Sequence, residues 1–84
     1  MIKHKHIYVI GSSPGTIKVG VATNVKARLR ALQTGSPVKL KVFHAVRVPA
    51  ERAFIIEWAV HQRLAKYELQ GEWFHFSAAQ AVVI

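Results

Sequence analysis

The chain has 84 residues, no cysteine, an apolar fraction of 51% and a formal net charge of +8. That length holds one domain with one core, burying roughly 60–65% of the unfolded surface, so residues 1–84 are read as a single unit. Without thiols there is neither a disulfide framework nor a thiolate zinc site, and no apolar run approaches the ~20 residues of a membrane span.

The basic opening leads only into Ile7 to Ile10, too short for the apolar region of a signal peptide. An intracellular, cytoplasmic, non-secreted protein is expected. Charge is uneven along the chain. Lys3, Lys5, Lys18, Lys26, Arg28, Arg30, Lys39, Lys41 and Arg47 stand between Met1 and Ala50 without one acid. All four carboxylates (Glu51, Glu57, Glu68, Glu72) follow. Such a field concentrates polyanions, which makes nucleic acid the leading partner. A merely soluble basic surface is the alternative. A membrane surface fits less well, because no helix combines a strong apolar face with a basic one.

In chain order, Lys3 to Ile10 alternates and is rich in Ile, Tyr and Val, the pattern of a strand. Gly11 to Gly15 is a turn, and Thr16 to Val21 completes an antiparallel hairpin. Thr23 or Asn24 caps a helix whose apolar residues Val25, Leu29 and Leu32 recur at helical spacing. Gly35 and Pro37 end it. Val38 to Val48 alternates and predicts a third strand, with Lys39 and Lys41 on one face. Pro49 opens a longer helix to about Tyr67. "GEWFHF" is a short extended piece, and Ser77 caps a last helical turn. The expected fold is α+β: a small three-stranded antiparallel sheet flanked by helices, in the order β-β-α-β-α, with a short extended and helical tail.

A symmetric turn pairs Ile10 with Thr16 and Tyr8 with Lys18, whose Cβ atoms would lie about 5 Å apart. Ile7, Val9, Ile17 and Val19 then share the core face, leaving Tyr8, Lys18 and Gly20 on the other. Gly20 removes a side chain there and opens room for a ligand backbone. In the second helix, Glu57 is the only charge of "AFIIEWAV". It lies one turn before His61, on the border of the face made by Ala53, Ile56, Val60 and Leu64. A carboxylate bordering a core requires a cation or a metal. A glutamate bonded to Arg28 or His61 for structural reasons satisfies that requirement as well.

These residues resemble a family. "IYVI" (Ile7 to Ile10), "KVG" (Lys18 to Gly20), Arg28 eight residues beyond the glycine and "IIE" ending at Glu57 are similar to the GIY-YIG endonuclease superfamily. "IKVG", the arginine of "ARL", Pro37, the Glu57–His61 pair and the terminal "GEWF" resemble more closely its phage-type branch, the meiotically up-regulated gene 113 domain. Gly20 and Trp73 are the structural members of these motifs. The resemblance spans nearly the whole chain. It implies hydrolysis of DNA phosphodiesters with one Mg2+ (or Mn2+) ion per active site. By position, Glu57 would be the metal ligand, Arg28 would hold the scissile phosphate, and Tyr8 would be the general base or position the water. Such a transition state needs a metal and a cation on its oxygens, and an adjacent lysine favours a phenolate.

The chain departs from the pattern in places. His6 stands at the first glycine of the family name, Lys18 at the second tyrosine, and Leu32 where an aromatic or histidine is usual. The split of roles between Tyr8 and Lys18 stays open. His61 is a partner of Glu57, an alternative base or a helix-surface histidine.

Lys26, Arg30, Lys39 and Lys41 are the expected phosphate contacts, with a solvated polar face as the alternative. Trp73, Phe74 and Phe76 are read as core or sheet-cover residues, base stacking being the other option. The histidines imply no zinc set. A non-catalytic nucleic-acid-binding domain of the same fold is the second functional reading. Weak sequence specificity is expected, since a recognition domain would come from a partner; double-strand cutting would require a homodimer or sequential nicks.

Overall fold

The computed structural model describes residues 3–12, 15–65, 68–70 and 73–75, of which 68–70, 74 and 75 are described by their backbone. The elements are β1 (His4–Gly11), β2 (Thr16–Ala22), α1 (Val25–Thr34), β3 (Lys41–Pro49), α2 (Ala50–Leu64), β4 (Glu68–Gln70) and β5 (Trp73–His75). The antiparallel strands β3, β1 and β2 and the two helices form the expected β-β-α-β-α domain. The extended tail adds two strands, giving the sheet order β3-β1-β2-β5-β4. Tyr67, Phe76 and Ser77 lie outside the described residues.

The β1–β2 register differs from the one a symmetric turn predicts. Tyr8 pairs with Gly20, Ile10 with Lys18 and Gly11 with Ile17. Gly11 extends β1 because only a residue without Cβ fits there: an added Cβ would collide with the Thr16 carbonyl oxygen and lie 2.8 Å from Ile17 Cα. The loop closes as Ser12 N–H donates to Thr16 O at 3.2 Å. A shift by an even number of residues keeps every side chain on its own face. The expected face assignment therefore survives although the pairing does not.

Both faces are covered. Ile7, Val9, Ile17 and Val19 pack against Ala53, Ile56, Val60 and Leu64 of α2, the α2 face expected from helical spacing. The alternate residues Tyr8, Ile10 and Ala22 form a second cluster with Leu40 and with Val25, Leu29 and Leu32 of α1. The face expected to be open for ligand is thus a second core layer. The two helices lie on opposite sides of the sheet.

Helix α1 buries none of its residues fully, so local hydrogen bonds carry much of its attachment. Asn24, rather than Thr23, caps it, its side chain accepting from Ala27 N–H at 3.0 Å. The Gln33 amide ties the helix to the approach of β3: Nε2 donates to Val38 O at 2.9 Å, and Oε1 accepts from Leu40 N–H at 2.7 Å. One side chain here imitates a strand neighbour.

β3 starts at Lys41, not at Val38. A bulge interrupts it, for Val9 pairs with His44 and Ile10 with Val42, leaving Phe43 as the extra residue. Leu40 and Val42 belong to the α1 side, His44 and Val46 to the α2 side. The near-strict alternation in sequence therefore does not trace one face. At the start of α2, Ala50 N–H donates to Lys3 O at 2.9 Å. Pro49, which has no N–H to donate, sits at the N-cap. The helix ends at Leu64, short of the expected Tyr67, with Ala65 as its C-cap.

Candidate functional site

Tyr8 and Gly20 meet directly. Tyr8 is 1% exposed, and its ring lies across the bare backbone of Gly20. A Cβ at position 20 would come within 2.5 Å of the Tyr8 hydroxyl oxygen. The space opened by Gly20, expected for a ligand, is filled by the tyrosine. Lys18, two residues earlier on the same face, is half-buried. Its Nζ lies 5.8 Å from the centre of the Trp73 ring, within cation–π range. Trp73 pairs with Lys18 across β2 and β5 and packs on the Tyr8 cluster, as a cover residue should. It also lines an open groove of ≈ 520 Å³ together with Thr16, Ala31 and Leu32.

Arg28 is exposed on α1, and its direction follows from its neighbours. The Gln33 flank of the helix faces β3, while Ala31 lines the groove beside Thr16 of β2 and Trp73 of β5. Arg28 is three residues before Ala31 and four before Leu32, so it adjoins the groove that these two line with Pro37, Val38 and Leu40 as well as Thr16 and Trp73. No acid stands in the first turn of α1. Lys26 and Arg28 therefore add to the positive end of the helix dipole rather than offset it, which costs stability and favours a bound anion.

From the opposite side of the sheet, His61 reaches the same strand. Its Nε2 lies 2.9 Å from Val19 O; facing a carbonyl, Nε2 is the donor. In the neutral imidazole the lone pair is then on Nδ1. Among the described residues β5 pairs with β2 from Thr16 to Lys18, and Val19 and Gly20 follow directly on β2. Glu57 is half-buried and four residues before His61, about 6 Å away on the same flank of α2. Among the described residues no ion pair joins Glu57 to Arg28. Tyr8 and Lys18 thus stand on the α1 side of the sheet, with Arg28 on the helix that covers that side, and His61 reaches β2 from the α2 side, one turn after Glu57.

The remaining cations do not share one surface. Lys26 and Arg30 are exposed on α1. Lys39 precedes β3, and the Lys41 ammonium lies 5.0 Å over the Phe43 ring, which packs with the α2-side core. The strand face expected for Lys39 and Lys41 is not formed, because β3 begins later and carries the bulge. The side chains of Phe74 and Phe76 lie outside the described residues. Sequence reasoning passed over two other aromatics on α2, Phe54 and Trp58, which are 67% and 64% exposed. Their positions off the Ala53–Ile56–Val60–Leu64 face were the available signal.

The T5orf172 domain family matches residues 5–84 of the chain. No curated protein and no solved structure matches it.

Proposed function

The chain belongs to the T5orf172 domain family, and from that membership and the residues gathered around β2 we propose that it is a metal-dependent DNA endonuclease module of the GIY-YIG type, with weak intrinsic sequence specificity. One observation carries the reading. The His61–Val19 contact pins the flank of α2 that bears Glu57 to the strand that bears Lys18 and Gly20. A half-buried carboxylate is brought toward the strand that carries Lys18, where a phosphate and a hard cation would complete it.

The donor set suits Mg2+ or Mn2+. Among the described residues no three His, Cys, Asp or Glu side chains gather into a metal cage. A single carboxylate is what Mg2+ commonly takes from protein, its other positions filled by water and substrate phosphate. Glu57 would hold the ion, which when bound polarises the phosphoryl oxygens and stabilises their developing charge. Arg28 would bind a non-bridging oxygen of the scissile phosphate, and Lys18 would add positive charge beside it. His61, its orientation held by Val19 O, would accept a proton at Nδ1. Tyr8 is enclosed, hydroxyl included, against the Gly20 backbone, so it would act by holding that backbone in place.

That enclosure is also the observation behind a second reading. Tyr8 at 1% exposure packs as a core residue, which suits a non-catalytic nucleic-acid-binding domain. Incubation of supercoiled plasmid with Mg2+ or Mn2+, with a chelator control, separates the two. The endonuclease nicks, and Glu57→Gln abolishes nicking while DNA affinity is kept or slightly raised, because a negative charge facing phosphate is gone. DNA binding without nicking under any metal condition, or a Glu57→Gln protein that still nicks at the wild-type rate, overturns the assignment.

A further inference from the structure

Helix α1 presents a row that the proposed chemistry uses only at its start. Arg28, Ala31 and Gly35 recur at i, i+3 and i+7, so they share one flank, with Leu32 beside them. Ala31, Leu32 and Gly35 line the groove of ≈ 520 Å³ that Thr16 of β2 and Trp73 of β5 also bound. Gly35 keeps that groove open without being needed by the fold. Its φ of −96° and ψ of 6° are not reserved for glycine, and an added Cβ would meet nothing within 4 Å.

The walls and the rim indicate the occupant. Among the described residues the lining includes no charged side chain, and Val38 within it is 51% exposed. The Ser36 hydroxyl is engaged by the Val38 backbone, donating to its O at 2.8 Å and accepting from its N–H at 3.2 Å. Such a surface offers a bare anion nothing in exchange for water, but it suits a flat apolar group. The rim is positive. Arg28 stands one helical turn before Ala31 and Leu32, about 5 Å along the axis, and the Lys18 ammonium lies 5.8 Å from the centre of the Trp73 ring. No acid occurs before Glu51. Glu51 and Glu57 are on α2, across the sheet, Glu68 is on β4, beyond β5, and Glu72 lies outside the described residues. An apolar slot with a guanidinium one turn away fits a ligand that joins a flat face to an anion by a short link. A nucleotide does so, its base and phosphate held on one sugar.

We propose that this groove receives one unstacked base of the DNA strand whose phosphate Arg28 holds. It is a positioning subsite that rests on the nucleic-acid reading above. It adds to that reading that the bound strand is locally unpaired, since the bases of an intact duplex are stacked within it. Contact through apolar walls is blind to base identity, which agrees with weak sequence specificity.

The test is binding, in chelator without divalent metal, of a labelled thymidine oligonucleotide and of a strand of equal length in which every nucleotide is abasic. The two carry the same phosphates and differ in their bases. Wild type is compared with Gly35→Leu and Ala31→Leu, each of which places a side chain in the groove. Ala31 is exposed within α1, where leucine is nearly as good a helix former, so that variant folds. Wild type should bind the thymidine strand about tenfold more tightly than the abasic one, within the range of a base resting on an aromatic wall. Both leucine variants should erase the difference by weakening the thymidine strand alone.

Equal wild-type affinity for the two strands would overturn the subsite. So would a difference that Ala31→Leu leaves intact, or an equal loss on both strands in that variant. An acidic peptide that displaces the thymidine strand from wild type, and binds Ala31→Leu poorly, would also overturn it, since the groove would then belong to a protein segment. Binding of neither strand would sink the nucleic-acid reading as well. Binding that ignores the bases sinks the subsite alone.

Discussion

The ring of Tyr8 occupies the space a side chain at position 20 would take: an added Cβ would lie 2.5 Å from the tyrosine oxygen and 2.7 Å from Cζ. Gly20→Ala therefore forces the buried ring aside and should cost ~1–3 kcal/mol, the usual penalty of overpacking a core. Adding Tyr8→Phe should recover part of the loss, because the hydroxyl is the nearest atom. Chemical denaturation of the single and double variants measures both. A Gly20→Ala protein as stable as wild type would mean that the ring does not lie there.

His61 fastens α2 to β2 through its contact to Val19 O. His61→Ala should lower stability by about 0.5–1.5 kcal/mol, the net worth of one hydrogen bond. On the proposed reading it should also reduce nicking more than DNA affinity, since the α2 flank that bears Glu57 is no longer held to β2. Thermal melting and a nicking time course on the same preparation test the pair of effects. Unchanged melting would remove the anchoring role.

Gln33 joins α1 to the approach of β3 with two backbone partners. Replacing it by Ala leaves the part-buried Leu40 N–H without its acceptor, at a cost of about 1–3 kcal/mol. Gln33→Glu keeps that acceptor but loses the donor to Val38 O and should fall in between. Hydrogen exchange at the Leu40 amide reports this directly: protection there should drop in the alanine variant and persist in the glutamate one.

DNA affinity should fall steeply with salt, because the proposed contacts are mostly to phosphates. Each of Lys26→Ala, Arg28→Ala and Arg30→Ala should flatten the slope of log affinity against log salt by about one. Lys41→Ala should change it less, since that ammonium lies over Phe43. Titrations at several salt concentrations compare the slopes. Affinity nearly independent of salt would exclude phosphate contacts as its source.

Period and punctuation were enough to place the main elements. Alternation over Lys3 to Ile10, the apolar residues of α1 at helical spacing, and Ala53, Ile56, Val60 and Leu64 on α2 each report a face that must be buried, and burial is a local demand on the chain. The same local signals misled where geometry depends on a neighbour. A symmetric turn predicted Tyr8 opposite Lys18, yet Gly11 and Gly20 select another register by where they let atoms approach. The regular alternation of β3 concealed a bulge at Phe43, because a bulge is a property of two paired strands.

For the candidate site, the sequence by itself determined the charge asymmetry, the spacing of Lys18, Gly20 and Arg28, and the isolated Glu57 one turn before His61. These depend only on residue identity and on the repeat of a helix or strand. The tertiary structure alone decided that α1 and α2 lie on opposite faces of the sheet, that Tyr8 is enclosed, and that His61 takes the Val19 carbonyl. It also decided that Phe54 and Trp58 stay in solvent. Each of these follows from which surfaces cover one another. That is settled by the packing of segments far apart in the chain, through contacts that no local period encodes.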